Sequence, residues 1–213
     1  MVRGVVLAGG GATRYGGRPK GLEMVGGVRI LDRLVMAMTE ACGAPPLLVA
    51  NAPDAARWRP DLEVVADVRP GLGALGGLYT AVTAGPAPVV VAAWDMPFVP
   101  TALLAALAAG LAAADACLPE SGSRRGLEPL CAAYGPACRA AIERSIEEDD
   151  LRAIGFHRHI SVGILPIDEV RRFGDPGTLF QNVNTPQELA EAEAAWRRGS
   201  FPSSDERTPE KPR

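Results

Sequence analysis

Lysine is almost missing from this 213-residue chain: Lys20 and Lys211 are the only two, and arginine supplies the rest of the 22 basic residues. Aromatic residues are scarce too, at 5% against 47% apolar residues overall, so the core must be built from Ala, Val and Leu rather than from large rings. Histidine occurs twice, at His157 and His159. The four cysteines, Cys42, Cys117, Cys131 and Cys138, are widely spaced with no C-x-x-C pair and no histidine nearby. That excludes a zinc-ligand pattern, leaves no Ser-His-Asp or Cys-His set, and reads as reduced, mostly buried thiols in a cytosolic protein. An excess of positive charge is also absent. The net charge of −3 disfavours nucleic acid and anionic membranes as partners. Long hydrophobic runs are missing: Val5–Ala8 is too short for a signal peptide, and the Ala/Leu-rich stretch 102–116 is weakly hydrophobic and mid-chain. The expected location is the cytoplasm, with no membrane segment.

What is present is an alternation. Short apolar runs at 2–8, 47–49, 64–65 and 89–93 read as buried strands. Helical periodicity or helix-start signals separate them at 30–38, 75–82 and 101–113. Strands alternating with helices specify an α/β protein with a parallel sheet covered on both faces. Beyond residue 116 the rhythm loosens, with a strand expected at 130–133, a helix at 136–146 and a strand at 160–167. Thr185-Pro186-Gln187-Glu188 places an N-cap Thr before Pro at the first helical position and opens a last helix to about 197. No repeat or linker divides residues 1–198, which reads as one domain; residues 199–213, with prolines and mixed charge, read as a disordered tail.

Three loops at strand ends carry the chemistry, because ligands of open α/β sheets bind beyond the carboxyl ends of the strands. The first runs from Leu7-Ala8-Gly9-Gly10 to Lys20. Its glycines let backbone N–H groups wrap phosphate oxygens, and Arg14, Arg18 and Lys20 supply positive charge, so it should bind a polyphosphate. It is not a Walker A loop, since Gly17 and Arg18 stand where Lys and Ser/Thr are needed. Nor is it a dinucleotide fingerprint, since Arg14 stands where the third glycine belongs. The second loop is Trp94-Asp95-Met96-Pro97, in which Asp95 either ligates Mg²⁺ or caps the helix beginning near Pro100. The third runs from Asp67 through Gly71 and Gly73 to Gly77, where a base or ribose could approach a helix start and Asp67 could accept hydrogen bonds.

Taken together, the glycine-rich segment Leu7–Lys20 (with one residue offset), Asp67–Gly77, Asp95-Met96-Pro97-Phe98, Glu128-Pro129-Leu130 and Asn182-Val183-Asn184-Thr185-Pro186 resemble the molybdenum cofactor guanylyltransferase family, in this order from residue 4 to about 196. That family belongs to the nucleotidyltransferase superfamily. The resemblance implies a three-layer α/β/α Rossmann-like fold with a mostly parallel, mixed central sheet. It also implies transfer of GMP from GTP to molybdopterin, with Mg²⁺ as cofactor and with molybdoenzymes or cofactor-pathway proteins as candidate partners. Carried over by position, Leu7, Ala8, Gly9, Gly10, Asn51, Asp67 and Gly73 would contact the nucleotide and Lys20 its phosphates. Arg14, Lys20 and Asp95 would be catalytic, with Asp95 on Mg²⁺; the acceptor site is not carried over residue by residue, and Arg124-Arg125 and the segment from Asn182 through Asn184 to Thr185 are its candidates. Two departures stand out: Gly73-Ala74-Leu75-Gly76-Gly77 replaces a frequent Gly-Pro-Leu-Ala-Gly, and Trp94 replaces a small residue or Cys.

The chemistry is coherent, since a phosphate monoester acceptor is already anionic at neutral pH and needs no general base. Positioning and charge neutralisation then carry the reaction. The alternatives are a molybdopterin cytidylyltransferase, a sugar-phosphate nucleotidyltransferase and a nucleotide-binding regulator without turnover.

Overall fold

The computed structural model describes residues 1–9, 19–123 and 126–199. The expected tail therefore lies, apart from Gly199, outside the described residues, as do Gly10, Arg14, Arg18, Arg124 and Arg125. A seven-stranded sheet is formed by β1 (Arg3–Leu7), β4 (Leu47–Val49), β5 (Val64–Val65), β6 (Val89–Ala93), β7 (Ala116–Pro119), β8 (Cys131–Tyr134) and β9 (Val162–Leu165), in the order β5-β4-β1-β6-β8-β7-β9. A separate hairpin pairs β2 (Met24–Val25) with β3 (Val28–Arg29).

Parallel pairing joins β1 to β4 and β6, β4 to β5, and β7 to β9. Only β8 runs against its neighbours β6 and β7. The reason lies in the connections: β7 and β8 are joined by a segment closed by a Glu120–Leu127 bridge, too short for the helical crossover that a parallel pair needs. The sheet is thus mixed and mostly parallel, as the family resemblance implied.

Side chains alternate across the sheet. Val6, Leu48, Val90 and Ala92 point into one core with α1 (Ile30–Cys42), α3 (Thr101–Gly110) and α7 (Pro186–Arg197). Val5, Leu7, Val49 and Val91 point into the other, with α2 (Gly73–Thr83) and α4 (Cys138–Glu147). In α1, Ile30, Leu31, Leu34, Val35 and Met38 form one buried stripe, each large side chain contributing roughly 1.5–3 kcal/mol. The helix ends on Gly43 in the left-handed region (φ 75°), whose N–H donates to the Thr39 carbonyl. Three cysteines are buried, Cys42 is half-buried, and all four are free thiols. No described helix is long and apolar enough to cross a membrane.

Several elements differ from expectation. Strand β7 and the hairpin β2–β3 were not anticipated, nor were the four-residue helices α5 (Ile167–Val170) and α6 (Pro176–Leu179). Helix α3 stops at Gly110 rather than at 113. There the chain passes so close to Cys117 that a Cβ on Gly110 would lie 2.3 Å from its Sγ. The last helix begins as expected: Thr185 Oγ1 accepts from the Glu188 N–H at 3.1 Å with Pro186 at the first position, a cap that contributes about 1 kcal/mol.

Candidate active site

A cavity of about 600 Å³ opens beyond the carboxyl ends of β1, β4 and β6. Leu7, Gly9, Lys20, Asn51, Asp67, Gly73, Asp95, Asn182 and Asn184 all line it, so three strand-end loops and the segment before α7 converge as a single site. Ala8 does not line it. Its side chain is packed in the α1 core and its N–H donates to the Val49 carbonyl at 2.8 Å. Arg14 and Gly10 fall outside the described residues.

Asp95 follows β6 by two residues and is 9% exposed. A carboxylate that far from water needs a counter-charge, and Lys20 supplies it: Nζ donates to Asp95 Oδ2 at 2.9 Å and also to Asn184 Oδ1. The capping alternative for Asp95 fails, because α3 takes Pro100 as its N-cap with no side-chain hydrogen bond. The Asn182–Asn184 segment is tied to the same place by its backbone, the Val183 N–H donating to the Asp95 carbonyl at 2.9 Å.

Lys20 opens a single 3-10 turn, Lys20–Leu22, and the residue after it explains how the turn is held. The Trp94 indole lies against Gly21 so closely that a Cβ there would come within 2.3 Å of the ring. Trp94 also stacks on Trp58, with ring centroids 5.0 Å apart and planes at 20°. The departure at Trp94 is therefore structural as well: the ring clamps the lysine turn beside Asp95. Its Nε1 is buried without a hydrogen-bond partner among the described residues.

On the far side of the cavity Asn51 and Asp67 hold each other in both directions. Asn51 Nδ2 donates to Asp67 Oδ2 at 2.7 Å, and the Asp67 N–H donates to Asn51 Oδ1 at 2.8 Å. The next residue is pinned to α2, since the Val68 N–H donates to Thr80 Oγ1 at 2.9 Å. Gly71 and Gly73 adopt positive φ (90° and 58°), which turns the chain into α2, and the first turn of that helix has no side-chain cap. Its N–H groups and partial positive charge are left for a ligand in the cavity.

Glu128 also lines the cavity, as do Trp94 and Leu130. The Glu128-Pro129-Leu130 motif is visible in the sequence, but nothing there attaches chemistry to it. Neither histidine reaches the cavity. His157 sits half-buried against Phe156, and burial pushes its pKa down to about 4, so it is neutral at pH 7. Among the described residues no cluster of three or more His, Cys, Asp or Glu could hold a metal. Asp95 Oδ1 accepts no bond from a described residue, and a single carboxylate beside bound phosphates suits Mg²⁺, which keeps much of its water.

Residues 4–161 match the MobA-like NTP transferase domain. A molybdenum cofactor guanylyltransferase from Desulfosudis oleivorans is 30% identical over 201 residues, covering 93% of this chain and 97% of its own. The chain belongs to the molybdenum cofactor guanylyltransferase family. A probable molybdenum cofactor guanylyltransferase from Chloroflexus aggregans is 36% identical, covering 89% of this chain and 92% of its own. Among solved structures, molybdopterin-guanine dinucleotide biosynthesis protein A from Archaeoglobus fulgidus superposes with a TM-score of 0.76 at 26% identity, over 92% of this chain and 100% of that one. The guanylyltransferase family brings with it the nucleotidyltransferase class and the α/β fold, and both agree with the expectations drawn from the loops.

Proposed function

We propose that this chain transfers GMP from GTP to molybdopterin, forming the guanine dinucleotide cofactor and releasing pyrophosphate, in a single domain over residues 1–198 acting in the cytoplasm. The observation that carries the reading is the meeting of Lys20 and Asp95 at one end of a cavity whose other end holds the Asn51–Asp67 pair and the open N-terminus of α2. A triphosphate laid across it would put its phosphates at Lys20 and its base near Asp67. The Asp67 carboxylate could accept from the N1–H and exocyclic amine of guanine, donors that adenine does not present together.

In the transfer, a phosphate oxygen of the acceptor attacks the α-phosphorus, the bond from that phosphorus to the bridging oxygen of the β-phosphate breaks, and pyrophosphate leaves. The nucleophile is already an anion, so no proton need be removed. Lys20 holds and neutralises the phosphates, with Arg14 assigned to the same task. The backbone N–H groups of the Gly9 loop and of α2 orient the nucleotide. Asp95 would hold Mg²⁺, which supplies further positive charge to the phosphate oxygens when bound.

The experiment is incubation with GTP, Mg²⁺ and molybdopterin, with the product identified by mass. Formation of the guanine dinucleotide is expected, with CTP, ATP and UTP far poorer donors. Transfer from CTP in preference to GTP overturns the assignment, and GTP binding without any product makes the chain a regulator.

A further inference from the structure

Beside the phosphate site, Asn184 makes a contact that the reaction as described does not use. An ammonium has three N–H groups. Lys20 spends two of them inside the protein, on Asp95 Oδ2 and Asn184 Oδ1, and the third has no partner among the described residues. Lysine carries its charge on a long flexible stem, so a single ion pair to Asp95 would leave the ammonium free to swing about the carboxylate. A second acceptor, placed on a separate element, fixes its direction.

Asn184 is itself held independently of that contact. Its N–H donates to Glu188 Oε2 at 2.7 Å, Glu188 is in turn bonded to the Thr185 cap, and the neighbouring Val183 N–H donates to the Asp95 carbonyl. The amide therefore projects from the anchored start of α7, while Lys20 is clamped from below by Trp94 over Gly21.

We infer that Asn184 is a positioning residue for the nucleotide half of the reaction. It holds the Lys20 ammonium so that its remaining N–H meets a phosphate of the bound nucleotide, instead of contacting the acceptor, for which the sequence makes it a candidate. The inference rests on the proposed function for the identity of the nucleotide. It makes the segment before α7 a support of the phosphate site and leaves Asn182, exposed on the cavity rim, as the residue of that segment able to meet the acceptor.

The test is a double-mutant cycle over Lys20→Met and Asn184→Ala, read by calorimetric titration with GTP in the absence of acceptor and by steady-state transfer. Asn184→Ala alone is expected to weaken GTP binding about 5-fold and lower kcat about 10-fold, with the KM for molybdopterin unchanged. In the Lys20→Met background it should have no further effect on either quantity, because the group it positions is gone. Independent, additive losses, or a raised molybdopterin KM with GTP affinity intact, overturn the proposal. Asn184→Ser, whose hydroxyl falls short of the ammonium while every backbone anchor is kept, gives the same discrimination should the alanine variant fold poorly. If the wild-type chain forms no product, the functional reading fails, and the GTP-binding cycle still decides whether Asn184 acts through Lys20.

Discussion

Two regions of this molecule concentrate charge, and they do so differently. At the end of α4, Arg158 pairs with both Glu148 and Asp150, Arg152 adds a fork on Asp150, and His159 lies 3.2 Å from Glu148. Each of the arginines and carboxylates in that network is answered by another within it. At the cavity, one lysine and one aspartate, 14% and 13% exposed, form a pair that leaves capacity over: an ammonium N–H and a carboxylate oxygen with no partner among the described residues. Density of charge therefore does not mark a site. A closed network lowers the free energy of the protein alone, whereas a largely buried pair with donors and acceptors to spare is arranged for something that is not yet there.

Lys20→Ala puts this contrast under the greatest strain. It should lower guanylyl transfer about 10²–10³-fold, the scale on which removing one charged group from a phosphate site acts. A melting curve close to wild type would show that the loss is in chemistry. Lys20→Arg asks the narrower question of whether any cation suffices. The broad guanidinium fork does not match a seat shaped by Asp95 and Asn184 over the Gly21 turn, so transfer should stay far below wild type, and undiminished transfer would show that the seat is indifferent to shape. Removing paired Arg152 or Arg158 from the surface network should leave transfer unchanged.

Asp95→Asn comes next. It keeps an acceptor for Lys20 but removes the charge that a divalent ion needs, so Mg²⁺-dependent transfer should fall about 10²-fold or more. Direct titration with Mn²⁺ in the presence of GTP should show weakened metal binding, and full activity would remove Asp95 from the metal site. Asn51→Ala is milder. It frees the Asp67 side chain from its holder and should weaken GTP about 5- to 10-fold by calorimetry while leaving the metal requirement alone.

The strand ends of the site are legible in the sequence, because buried parallel strands leave apolar runs and the loops leaving them need glycine and a few charged residues. Leu7, Asp67 and Asp95 stand out in that way. Asn184 stands out only as a member of the family motif and as a candidate for the acceptor; its contact with Lys20 spans 164 positions, and no periodicity records such a meeting. Gly21 gives no signal either, since the ring that requires it belongs to Trp94, after another strand. Strand β7 escapes for a local reason: Ala116-Cys117-Leu118-Pro119 follows an Ala-rich helix with no glycine or proline between Leu111 and Ala116 to announce a new element.

The smallest expected effect lies with a histidine beside the surface network. His157 packs edge-on against Phe156 with ring centroids 4.6 Å apart, its Nε2 is buried without a partner among the described residues, and burial lowers its pKa from 6.5 to about 4. On acidification the unfolded chain takes up this proton first. The stabilising preference for the neutral ring is thus complete above pH 6.5 and is lost as the pH falls from 6.5 towards 4. The carboxylates of the network respond later: the Arg158, Arg144 and His159 hydrogen bonds hold Glu148 down at about 2, so its contribution is lost only between about pH 4.5 and 2. The melting temperature plotted against pH should therefore descend in two stages. His157→Phe, which fills the same aromatic niche without a titratable nitrogen, should flatten the first stage and leave the second in place, with guanylyl transfer at neutral pH unchanged. An unaltered slope between pH 6.5 and 4 would mean that the ring finds water or a partner on protonation, and that this corner of the molecule is as self-sufficient as the ion pairs beside it.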